Sequence, residues 1–129
     1  MLRSLLLAVL MAACSVTGSQ RTFELDGVTV VDDAGLVTGA TAGATRPQST
    51  ERPLVVRGDS LTQIAVHWRG SSCVRGWTVR VGGNRLLIVI EPGETQDPCS
   101  GTLAEPAVTL DLNRVVDADA IDIEQRDGP

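Results

Sequence analysis

Tyrosine and lysine are absent from this 129-residue chain, and histidine and phenylalanine occur once each. Two tryptophans bring the aromatic share to only 2%. So few rings exclude a nucleic-acid binder that stacks successive bases on aromatic side chains. Every one of the eleven basic residues is arginine, and sixteen acids outweigh them. The formal charge of −5 argues against a general polyanion binder. No apolar run approaches the roughly 20 residues that a membrane-crossing helix needs. A dinucleotide fingerprint is missing as well, and neither a cofactor nor a metal is expected. The length suits one small domain.

The N-terminus reads MLRSLLLAVLMAAC. Arg3, the apolar run Leu5–Ala13 and two alanines before Cys14 form a charged, apolar and small-residue succession, the pattern of an export signal. Met11-Ala12-Ala13-Cys14 resembles the bacterial lipobox. That resemblance implies a signal peptide over residues 1–13 and a diacylglyceryl group on the Cys14 thiol. Cys14 would then be the first mature residue, held at the extracytoplasmic face of a bacterial cell envelope. Two acyl chains on one cysteine suffice for stable anchoring, whereas a single chain holds weakly. Residues 14–22 read as a polar tether and residues 23–129 as the domain.

With Cys14 committed to lipid, Cys73 and Cys99 remain, and export favours a disulfide between them. Their separation of 26 residues is unlike the close spacing of a redox CxxC or a zinc knuckle. Closing a loop of that length contributes about 3.5 kcal/mol in the chain-entropy model.

Beyond residue 22 the hydrophobic period is two. Phe23–Val31 reads as a strand or short hairpin. Thr62, Ile64, Val66 and Trp68 share one face of a strand, with Gln63 and His67 on the other. Trp77, Val79 and Val81 alternate with Thr78 and Arg80, and Val108, Leu110 and Leu112 with Thr109 and Asp111. Leu86–Ile90 is apolar on both faces, as a central strand would be. Gly39–Pro53, rich in Gly, Ala, Thr and Pro, reads as a flexible loop. Short strands separated by Gly- and Pro-containing turns indicate an all-β, antiparallel β-sandwich or small barrel, loosely immunoglobulin-like, with one disulfide. The strand ending in Trp68-Arg69-Gly70-Ser71-Ser72-Cys73, the meander to Cys99, and the following AVTLDLNRVVDADAI resemble a broad group of small secreted actinobacterial β-proteins. This likeness covers residues 61–124. It implies the same fold and disulfide and carries no activity with it.

Leu54–Leu61, LVVRGDSL, resembles the nucleophile block of the GDSL hydrolases. That resemblance would make Ser60 the nucleophile and place Gly58 at the oxyanion site. An acyl-transfer serine needs a histidine base held by a carboxylate. His67 is the single histidine, it follows Ser60 by only seven residues, and none follows it. A small hydrolase using Ser60 and His67 is therefore the second reading. Arg57-Gly58-Asp59 spells an adhesion tripeptide, but turns select Gly and Asp for backbone reasons alone. His67 itself reads as an exposed strand histidine. Asp117, Asp119, Asp122 and Glu124 follow strand alternation and lack the loop glycine and closing glutamate of a calcium loop, so they read as a solvated edge.

Charge is ordered along the chain. Residues 54–90 hold Arg57, Arg69, Arg75, Arg80 and Arg85 against Asp59, for a net +4, whereas residues 91–129 hold ten acids against two arginines, for a net −8. The two segments either neutralise each other strand to strand or form opposed patches. Without the usual acid–base partners, the chain reads first as a membrane-tethered binding or accessory module for an envelope protein or glycan. Arg69, Arg75, Arg80 and Arg85, with Trp68, are the candidate contact surface, because guanidinium forks suit carboxylate and phosphate groups. A passive structural lipoprotein is the remaining alternative.

Overall fold

Each expected alternation becomes a strand. The computed structural model describes residues 20–44, 51–83 and 86–126. In chain order the strands are β1 Arg21–Leu25, β2 Val28–Asp32, β3 Val37–Ala42, β4 Leu54–Arg57, β5 Gln63–His67, β6 Gly70–Ser71, β7 Val74–Val81, β8 Leu87–Thr95, β9 Leu103–Ala104, β10 Ala107–Leu112 and β11 Asp122–Gln125. One short 3-10 turn, Ala118–Ala120, precedes β11, with the Asp117 side chain accepting from the Asp119 N–H at 3.0 Å. The signal segment and Cys14 lie outside the described residues.

A five-stranded sheet has the order β1-β2-β7-β8-β11, and a four-stranded sheet the order β3-β10-β5-β4. The second sheet is antiparallel throughout. The first is mixed: β2 runs parallel to β7, with Val28 opposite Trp77, and β11 runs parallel to β8, with Asp122 opposite Leu87. A two-stranded ladder of β6 and β9 completes the fold. Val30, Val79, Ile88 and Ile90 from the first sheet meet Val66, Val108 and Leu110 from the second in one fully buried core. Packing the inner faces of two sheets over a shared core makes this a β-sandwich. The Cys73–Cys99 disulfide is present.

Asp32 carries the chain from one sheet to the other. Its side chain is fully buried at the end of β2 and accepts N–H groups from Ala34 (3.1 Å), Leu36 (3.3 Å) and Val37 (2.8 Å). Those bonds turn the backbone into β3, and a buried carboxylate with that many donors is satisfied without a counter-ion.

Three expectations are corrected. The loop read over residues 39–53 begins later, because β3 runs through Ala42. Gly39, Ala40 and Thr41 pair with Asp111, Leu110 and Thr109, and a ladder partner on β10 supplies backbone bonds whatever the side chains are. Arg21 and Thr22, read as the end of a tether, belong instead to β1 and lie opposite Asp32 and Val31. His67 is not exposed: it is 2% accessible, between Leu54 of β4 and Ala107 of β10.

Candidate functional site

The sandwich has two unlike ends. At one, Gln20 donates to Asp33 (2.6 Å), the Leu112 N–H donates to the Thr62 carbonyl (2.8 Å), and the Asn113 N–H donates to the Leu36 carbonyl (2.8 Å). These bonds gather the start of β1 with the β2–β3, β4–β5 and post-β10 loops. At the other end lie the β1–β2 turn, the β6–β9 ladder and the disulfide.

This second end opens into a cavity of about 380 Å³ lined by Asp26, Gly27, Ser71, Ser72, Gly76 and Trp77, among others. Its polar and apolar walls have separate origins. Asp26 is exposed in the β1–β2 turn, where Gly27 takes a φ of +77° that an L side chain rarely adopts. Ser71 Oγ accepts from the Cys73 N–H (3.1 Å) and holds the turn itself, whereas Ser72 Oγ accepts from the Thr102 N–H (2.9 Å) and fastens the Cys99–Thr102 stretch beside β6. The disulfide reinforces the same fastening. Val74, Ala104 and Pro106, with the nearly buried Trp77, supply apolar surface. The Trp77 ring lies so close to Gly70 that a methyl group there would collide with Cζ2 and Cη2.

The candidate arginine surface is only partly assembled. Arg69 and Arg75 are exposed near this end, Arg69 just after β5 and Arg75 between the cavity residues Val74 and Gly76. Neither forms a salt bridge among the described residues. Arg80 lies farther along β7 and is tied to Glu91 of β8, Nε to Oε1 at 3.0 Å, with Arg126 also approaching Glu91 at 3.9 Å. Here the basic and acidic segments neutralise each other strand to strand. Arg57 sits at the opposite end of the sheet, at the close of β4. Arg85 lies outside the described residues. Trp68 is corrected outright. It is fully buried and meets Trp77 edge to face, so it is core and not contact surface.

The hydrolase pair is likewise not brought together. Ser60 lies in the β4–β5 turn, 3.4 Å from the Thr62 hydroxyl, whereas His67 closes β5 at its other end. The length of that strand, roughly 17 Å, separates them. Burial lowers the pKa of His67 from its ordinary value, and its Nε2 has no hydrogen-bond partner among the described residues.

Asp26, Ser71 and Ser72 were not among the residues singled out for the site. The available signals were an Asp-Gly turn between two strands and a Gly-Ser-Ser turn before a disulfide cysteine. Both are common turn chemistry and announce no cavity. Neither a family model, nor a curated protein, nor a solved structure matches this chain.

Proposed function

We propose that the protein is a binding module tethered through lipid on Cys14 to the extracytoplasmic face of a bacterial membrane, and that it engages an envelope protein or glycan with the disulfide end of its sandwich. One observation carries this reading: the cavity over Trp77 lies at the end of the molecule opposite Gln20, where the tether joins. A domain held by Gln20 then presents the cavity away from the anchor. The chemistry there suits recognition more than turnover. Val74, Ala104 and Pro106 offer apolar surface to pack on, Asp26 an acceptor, and the two serines hydroxyl protons to donate outward. Arg69 and Arg75 add guanidinium groups for a carboxylate or phosphate on the partner. Anchoring raises the local concentration of partner, so modest intrinsic affinity serves.

The test is photocrosslinking in intact cells, with the photoreactive residue placed at Ala104 on the cavity rim or at Ser60 at the other end. A defined envelope component captured from Ala104 alone, and weakened by Arg69→Gln with Arg75→Gln, supports the reading. Equal capture from both ends, or capture indifferent to the arginines in a folded protein, removes this surface and leaves a passive structural lipoprotein in front.

A further inference from the structure

We infer that the Gln20 end of the sandwich rests on the bilayer itself, with Leu61 and Val115 as its apolar feet; this rests on the lipid anchor at Cys14. Three large hydrophobic side chains are strongly exposed among the described residues: Leu61 at 56%, Val115 at 59% and Leu103 at 52%. Single exposed aliphatics are ordinary. The placement of two of them is the informative point. Leu61 adjoins Thr62, whose carbonyl accepts the Leu112 N–H, and Val115 follows Asn113, whose N–H donates to Leu36. Both therefore belong to the loop cluster where Gln20 binds Asp33 and β1 begins.

Neither side chain is needed where it stands. The β4–β5 turn is held by the Gly58 N–H on the Gln63 carbonyl (2.8 Å), the Gln63 N–H on the Ser60 carbonyl (3.2 Å) and the Asp59 N–H on Gln63 Oε1 (2.9 Å). A polar residue at position 61 would leave all three bonds intact. Val116 packs against the core, and Val115 beside it stays outside.

Chain length commits the occupant. Six residue steps separate Cys14 from Gln20, a reach of at most about 20 Å when fully extended. Lipid on Cys14 therefore keeps this loop cluster within that distance of the membrane surface, and the exposed aliphatics stand where they can enter the headgroup boundary. Asp33, Asp59 and Asp117 share this end with Arg21, Arg57 and Arg114, all six exposed, so these opposite charges offset one another and the contact is apolar in origin, with no call for anionic lipid.

The test uses the protein as its bacterial host processes it, reconstituted in phosphatidylcholine vesicles containing brominated lipid. Leu61→Trp, Val115→Trp and, as a control at the disulfide end, Leu103→Trp each add one exposed indole to the two buried ones. For positions 61 and 115 we expect the added emission to shift to shorter wavelength and to fall about twofold through bromine quenching, with no change for position 103. Quenching at 61 and 115 no greater than at 103, in a protein whose mass includes the acyl chains, overturns the seated end and leaves the anchor standing. A mass without acyl chains overturns both.

Discussion

Trp68, directly after β5, and Trp77 on β7 meet edge to face, with ring centroids 5.9 Å apart and planes inclined by 66°. Trp68 is fully enclosed, and Trp77, a lining residue of the cavity, is nearly so at 9%. The pair thus joins the core to the proposed binding end. Gly70 completes the arrangement because any side chain there would enter the Trp77 ring. Gly70→Ala should destabilise the domain by about 1–3 kcal/mol, the usual cost of overpacking. Urea unfolding followed by tryptophan fluorescence measures it, and a red-shifted native spectrum would report Trp77 displaced toward water.

Asp32→Ala should be more damaging than its exposure to no ligand suggests. Removing the carboxylate leaves the N–H groups of Leu36 and Val37 buried without their acceptor. The expected loss is about 3 kcal/mol or more. Asp32→Asn, which keeps one acceptor oxygen, should recover part of it in the same denaturation experiment.

His67 makes stability depend on pH. Burial lowers its pKa in the folded protein below the ordinary 6.5 that it has when unfolded. Below that value the unfolded chain takes up the proton more readily, so stability is full above about pH 6.5 and falls as the medium is acidified toward the folded pKa. His67→Gln cannot titrate there. Its denaturation midpoints should be flatter than those of the unchanged protein as the pH falls below about 6.5, and identical slopes would show that His67 charges without cost.

Cys73→Ser together with Cys99→Ser should lower stability by about 2–5 kcal/mol. The greater part of the loss should appear locally, since the bridge fastens residues 99–102 beside β6. Hydrogen exchange at Ser72 and Thr102 should rise first, and thiol titration of the unfolded, unreduced domain should find neither cysteine free.

The fold was legible where side chains alternate. Ile64, Val66 and Trp68 face the core, as do Val79, Val81, Val108 and Leu110, because a period of two leaves a half-buried strand little choice of face. Leu87–Ile90 lies between β7 and β11, in keeping with its two apolar faces. The parallel pairings were not legible, since alternation along one strand is silent about which neighbour it finds. Gly39–Ala42 hid for the converse reason: small side chains carry no alternation, and the strand is set by β10. His67 misled because a residue on the outward face of a sheet is exposed only if nothing lies over it. The arginines were visible as a composition bias, but register decides their fate. Arg80 reaches Glu91 of the next strand, whereas Arg75, opposite Glu94, forms no salt bridge with it.

The parallel pairing of β2 with β7 sets the order in which this chain can become a protein. The β1–β2 hairpin leaves the ribosome early, yet Val28 and Val30 gain their neighbours Trp77 and Val79 only after the whole of β3 to β6 has been made. The first sheet then waits again, for β11 near the chain's end, before β8 is covered on its outer side. Contacts so remote in sequence slow folding and prolong the exposure of unpaired strands. The valine-rich strand of that hairpin therefore keeps one edge unpaired until β7 exists.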